Sequence, residues 1–201
     1  MPHYKEQSFN LPDEFHGKLS RKSVDEHLKL YGGYVKHTNT ILEKVEELER
    51  DDLEGNKFTI ESLRRRLGFE FDGMRNHEIY FAQLEDGPQE LTDDSKLKNA
   101  ISSYHEDFDT WLADFKQMAK TRGIGWAVLY YDQHADQLLN VWVDEQHLGH
   151  LTGVEPILML DMWEHSFVFD YQPSGKGEYI DDFFANLNWS VIEENFANAK
   201  K

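Results

Sequence analysis

Cysteine is absent from this chain of 201 residues. Disulfides, thiolate metal sites and cysteine nucleophiles are therefore excluded. Positive charge is also scarce: 21 lysines and arginines face 38 acids, a formal net charge of −17. That balance argues against nonspecific binding to nucleic acid or to an anionic membrane surface. No apolar run is long enough to span a bilayer, and the opening "MPHYKEQSFNLPDEFHG" lacks the charged-then-apolar pattern of an export signal. A cytoplasmic protein with no membrane partner is the expectation.

What is present suits a packed interior. Hydrophobic residues make up 39% and aromatics 13%, enough for one compact domain or two small lobes sharing a core. Ser20 or Ser23 can cap a first long helix, and Ser23 with Glu26 matches a capping box. Val24, Leu28, Tyr31, Val35, Leu42, Val45 and Leu48 then recur at helical steps until Gly55 and Asn56 mark a turn. A second helical region, "TIESLRRRLGFEFDGMRNHEIYFAQL", is expected to break at Gly68 and Gly73, and "EDGPQEL" reads as a linker. "SKLKNAISSYHEDFDTWLADFKQMAKTR" is a third amphipathic helix or helix pair. The period then changes: "GWAVLYYD" and "LLNVWVDE" flank the turn-like "QHADQ" as a hairpin, "PILMLD" is a third short strand, and the C-terminal stretch returns to helical spacing. This order predicts an α+β fold, with an N-terminal helical hairpin lobe (1–88) followed by an α/β lobe (89–201) built on a three-stranded antiparallel sheet flanked by helices.

Ten histidines stand out. His77 lies on the apolar stripe of its helix among Met74, Tyr80, Phe81 and Leu84. His27 borders the inner stripe of the first helix. His165 follows Asp161 by four residues in "LMLDMWEHSFVFDY", an apolar stretch in which carboxylates are out of place unless paired or bound to metal. Taken singly, each histidine reads as a core residue. Together with Asp161 they make a donor set of three nitrogens and one oxygen, which suits a first-row metal and leaves a position for solvent. His3, His16, His37, His134 and His150 are expected at the surface. His105 and Asp107 mimic a His-x-Asp iron motif but lie in an amphipathic helix, so surface or packing roles are expected.

The segment "DMWEHSFVFDY" resembles the Asp-x-Trp-Glu-His signature of the iron/manganese superoxide dismutases. "NHEIYF" is similar to that family's second-helix segment, "GIGWAVLYYD" to its Gly-x-Gly-Trp strand, and "YIDDFFANLNW" to the flank of its signature. The resemblance runs from about Phe9 to Asn195 and implies that His27, His77, Asp161 and His165 bind one iron or manganese ion per chain. It further implies a superoxide dismutase in which the metal alternates between M(III) and M(II). Tyr34 looks like the family's gateway tyrosine, and Trp126 and Trp163 like its aromatic shell. Gln146, or the adjacent His147, would hydrogen-bond the metal-bound solvent. Glu164 looks like the residue that reaches the partner chain's ligand histidine in a homodimer, which in turn can pair into a tetramer.

The sequence departs from the family pattern in the first helix. There the family's histidine usually precedes the gateway tyrosine by one residue more than here, and strict register would put Glu26 in place of His27. Lys29, Arg75 and Lys176 are the candidate cations for attracting an anionic substrate. Two rivals remain: a di-iron carboxylate bundle, which lacks its paired Glu-x-x-His elements here, and a metal-binding relative with weak turnover.

Overall fold

A computed structural model describes residues 4–201. His3 lies outside the described residues. Helix α1 (Arg21–Asp52) and helix α2 (Lys57–Ala82) form the hairpin, followed by the shorter α3 (Lys96–Tyr104) and α4 (Phe108–Ala119). Strands β1 (Gly125–Asp132), β2 (Gln137–Asp144) and β3 (Glu155–Asp161) come next, and helices α5 (Lys176–Ala185) and α6 (Trp189–Ala199) close the chain. The sheet is antiparallel throughout, in the order β2-β1-β3. The α+β architecture follows the hydrophobic periods of the sequence.

Helix α1 starts at Ser20, whose Oγ accepts from the Ser23 backbone N–H at 3.1 Å. Ser23 is itself buried inside the first turn, so the expected Ser23–Glu26 capping box does not form. Val24, His27, Tyr31, Val35, Thr38 and Ile41 are buried at steps of three and four, which turns one face of α1 onto α2. Glu26 points the other way, to solvent, where it pairs with Lys29 at 2.7 Å.

Helix α2 corrects a second expectation: it runs unbroken through Gly68 and Gly73. A helical glycine costs only about 1 kcal/mol relative to alanine, and long-range packing against α1 outweighs that. Gly73 has a positive reason to be there. A Cβ at this position would lie 2.6 Å from the Tyr34 ring, so glycine is what lets the two helices close over that tyrosine. The linker turns at Asp86 and Gly87, both left-handed (φ 60° and 77°).

The third helical region resolves into a pair. His105 caps the end of α3, and Asp107 caps the start of α4 by accepting from the Thr110 N–H at 2.7 Å. The stretch from His105 to Asp107, expected inside a helix, is therefore a junction between two helices. In the sheet, Trp126 of β1 pairs with Asp161 at the end of β3, and Pro156 sits where the β3 register shifts. A proline, lacking an N–H, is tolerated at such an irregularity. The C-terminal end of β3 thereby delivers Asp161 into the space between sheet and hairpin.

Candidate metal centre

Four elements bring four side chains to one point. His27 comes from α1, His77 from α2, Asp161 from the end of β3, and His165 from the short 3-10 turn Glu164–Ser166. Their ligand-type atoms lie within 4.8 Å of one another, and the group is buried apart from a partly exposed His165. One oxygen is the focus. Asp161 Oδ2 lies 3.1 Å from His27 Nε2, 3.2 Å from His165 Nε2 and 3.6 Å from His77 Nε2.

Each group is oriented from behind. Asp161 Oδ1 accepts from the Trp163 backbone N–H at 2.7 Å, which leaves Oδ2 to face the histidines. Its backbone carbonyl accepts from Ser166 Oγ and Tyr179 Oη, both at 3.0 Å. His77 Nδ1 lies 2.6 Å from the Gly73 carbonyl. That contact requires a proton on Nδ1, so Nε2 presents a bare lone pair. This Nε2 is buried without a hydrogen-bond partner.

The electrostatics favour neutral imidazoles at His77 and His27 beside an ionised Asp161. Burial holds His77 down at about 3, with His27 acting in the same direction. Burial also lowers His27, against the pull of Asp161. For Asp161 burial acts to raise the value, yet His165 and His27 hold the carboxyl well below the usual carboxylate range. A buried nitrogen lone pair without a donor is costly. A cation placed among these four atoms would satisfy it, and the nitrogen-and-oxygen donor set suits a first-row metal.

Aromatic rings wall the site. Trp126 meets His77 edge-on at 5.1 Å, Trp163 stacks on His165 at 5.6 Å, and Tyr34 lies 5.1 Å from the His77 ring. Gln146 is fully buried beside them. Its Oε1 accepts from Trp126 Nε1 at 2.9 Å and its Nε2 donates to Tyr34 Oη at 3.0 Å. Because an indole N–H can only donate, this contact fixes which way the amide points. The His147 ring lies edge-on to Phe69 at 5.7 Å, and its buried Nδ1 has no hydrogen-bond partner. Glu164 is exposed at the start of its turn.

Reading the residues alone missed three neighbours. His150, expected at the surface, is half-buried, bonded to Tyr130 Oη and 3.1 Å from the Gln146 carbonyl. Phe69 packs on Tyr34, His147 and Trp163, and Arg66 lies over Phe69. Phe69, Gly73 and His77 follow one another at steps of four, a spacing that could have tied Phe69 to the site.

Three histidines and one aspartate, converging in an aromatic enclosure between a helical hairpin and a small sheet, define a mononuclear metal-site protein. A family model described as "Iron/manganese superoxide dismutases, C-terminal domain" matches residues 93–195. The chain is 35% identical over 184 residues to a protein named Superoxide dismutase [Fe] from Cupriavidus metallidurans, covering 90% of each. It is 29% identical over 175 residues to another of that name from Pyrobaculum aerophilum, covering 86% of this chain and 81% of the relative. A Superoxide dismutase [Mn] from Mycobacterium intracellulare is 33% identical over 175 residues, covering 86% and 82%. The chain belongs to the iron/manganese superoxide dismutase family.

Proposed function

We propose that the chain dismutates superoxide to dioxygen and hydrogen peroxide at one iron or manganese ion held by His27, His77, Asp161 and His165. The observation that carries this reading is the convergence of three imidazole Nε2 atoms on one carboxylate oxygen, with the His77 nitrogen otherwise unpartnered. An ion of this kind supplies one-electron exchange, which zinc cannot. His27 rather than Glu26 is the ligand in this reading, because Glu26 is exposed and paired with Lys29 on the opposite face.

The remaining tasks fall to the chain's own residues. Tyr34 is the gateway hydroxyl. Its phenol is pushed well above its ordinary value, by burial first and then by the charges of Asp161 and Glu70, so it stays protonated at physiological pH. While Tyr34 Oη accepts from Gln146, its proton is free to point toward substrate or water in the mouth. Gln146, held by Trp126, keeps that orientation, and in this reading it, rather than His147, is the group that acts on solvent in the site. Trp126, Trp163 and Phe69 wall the site and would keep bulk water from it.

The same reading extends to assembly. Glu164, with Val168 and Phe169 exposed close behind it, would meet a second copy of the chain in a homodimer, or in a tetramer of paired dimers. It also retains two lobes, 1–88 and 89–201, supported by the turn at Asp86–Gly87 and by a C-terminal-domain family model whose match, 93–195, falls within the second. A cytoplasmic location remains part of the proposal; among the described residues no helix is long and apolar enough to cross a membrane.

The test is to load the metal-free protein separately with iron and with manganese and to assay dismutation. Turnover with at least one of them is expected. Binding without turnover under both would instead establish the weak relative. Sedimentation tests assembly: a dimer or larger is expected, weakened by Glu164→Ala, and a monomeric native protein would remove Glu164 from its proposed role.

A further inference from the structure

The substrate is an anion and the chain carries a net charge of −17, so local charge at the mouth must work against the total. The cations suggested by the sequence are engaged elsewhere. Lys29 pairs with Glu26 at 2.7 Å, Arg75 with Glu78 at 2.5 Å, and Lys176 Nζ donates to the Thr121 carbonyl at 2.7 Å. Arg66 is placed differently. Along α2, Arg66, Glu70, Gly73 and His77 follow at steps of four, three and four, which puts them on one stripe ending at the metal centre.

The guanidinium of Arg66 lies 3.9 Å from the centroid of the Phe69 ring. That ring packs at 6.1 Å from Tyr34 and 6.2 Å from Trp163, the two aromatics flanking the site. Arg66 is held there by Glu70: its Nε and one terminal nitrogen both lie 2.7 Å from Oε1. His37 of α1 approaches the other carboxylate oxygen at 3.6 Å. The two charges differ in exposure, since the Glu70 side chain is 5% exposed and that of Arg66 56%. An arriving anion therefore meets the positive end of the pair, while the buried carboxylate keeps the guanidinium on Phe69. The Tyr34 phenol responds to both charges.

We propose that Arg66, stacked on Phe69 and tethered by Glu70, is the positioning residue that guides superoxide to the Tyr34 mouth. This rests on the dismutase reading. The test compares metal-loaded wild type, Arg66→Gln, Arg66→Lys and a control, Lys98→Gln. Lys98 is also paired, with Asp93 at 2.7 Å, but lines a groove with Phe108 and Trp189 instead. Both glutamine variants change net charge equally.

At low ionic strength Arg66→Gln is expected to lower kcat/KM roughly three- to tenfold and to flatten its salt dependence, whereas Lys98→Gln stays within about twofold of wild type. Arg66→Lys, which keeps the charge, should retain at least about half of the wild-type value, and metal content should be the same in all four. Azide, a small anionic probe titrated by calorimetry, should bind more weakly to Arg66→Gln by a similar factor. Equal rates and salt slopes for Arg66→Gln and Lys98→Gln would overturn the proposal. So would a loss in Arg66→Lys as large as in Arg66→Gln, which would mean that packing on Phe69 matters and charge does not. Absence of turnover in wild type would count against the dismutase reading alone, because azide binding still reports on Arg66.

Discussion

Asp161 and Asp72 both lie among histidines inside the same protein, yet their carboxyls move in opposite directions. Burial acts to raise both. Around Asp161, His165 and His27 overcome it and hold the group down, each with its Nε2 within 3.2 Å of Oδ2. Around Asp72, burial outweighs the pull of His150 and His147, and the value stays raised. In this second group His150 is engaged by Tyr130 Oη and the Gln146 backbone carbonyl, while the His147 ring packs edge-on to Phe69 with no hydrogen bond to Asp72 among the described residues. Convergence separates them. Shared nearness of histidine and aspartate is common, whereas lone pairs aimed at one point from four elements make a place for a cation.

The largest expected effect separates His27 from its neighbour. His27→Ala removes one of four converging donors and should strip the bound metal and dismutation together. Glu26→Gln breaks only an exposed ion pair, should cost at most about 0.5 kcal/mol, and should leave metal content intact. Elemental analysis of both variants checks this, and the reverse pattern would give the site to Glu26.

Acid should expose the inner group next. In the metal-free protein the folded value of His77, about 3, lies below its ordinary 6.5. Above pH 6.5 neither folded nor unfolded chain holds the proton, so the shift has no effect. As pH falls below 6.5 the unfolded chain takes up a proton that the fold refuses, and stability drops by roughly 1.4 kcal/mol per pH unit for this group. His27, also lowered, adds to the loss. The depressed Asp161 contributes stability above its ordinary 3.8 and loses it at lower pH, in the same direction. Urea unfolding between pH 7 and pH 4.5 should show this slope, and a flat profile would contradict the burial of neutral imidazoles.

A smaller effect is expected at Gln146, which lies between the two groups. Gln146→Ala leaves Tyr34 Oη and Trp126 Nε1 without the partners they have now. Buried orphans of this kind cost about 1–3 kcal/mol, and loss of the outer amide should slow dismutation about 10- to 100-fold with metal retained. Unchanged turnover in a metal-loaded variant would remove Gln146 from the mechanism.

The smallest effect belongs to the second cluster. Asp72→Asn removes a charge that burial already disfavours, so stability at neutral pH should stay within about 1 kcal/mol of wild type. Metal content should not move. Loss of metal in this variant would erase the distinction between the two groups.

Much of this contrast was legible in the residues, and the unread part has physical reasons. Asp161 and His165 sit four apart in an apolar stretch, and a buried carboxylate demands a partner, so their role could be read locally. His27 depended on helical phase: Val24, His27 and Tyr31 share the buried face, and Glu26, one residue off, faces water. The continuity of α2 through Gly68 and Gly73 was not legible, because glycine weighs against a helix locally while the reason for Gly73 is the Tyr34 ring arriving from α1. Nor could spacing decide between Gln146 and His147. The proposal of Gln146 rests on Trp126, twenty residues away in sequence, whose indole N–H donates to the side-chain Oε1 of Gln146. Arg66 escaped notice among three consecutive arginines, since only the folded α2 shows which of them lies on Phe69.

The most direct measurement is metal content per chain by elemental analysis, in wild type and in His77→Ala purified side by side. His77 brings a buried nitrogen that has no hydrogen-bond partner. The account predicts about one iron or manganese per wild-type chain, and none above background in the variant, which keeps its fold by circular dichroism. A folded His77→Ala protein that retains a full complement of metal would contradict it.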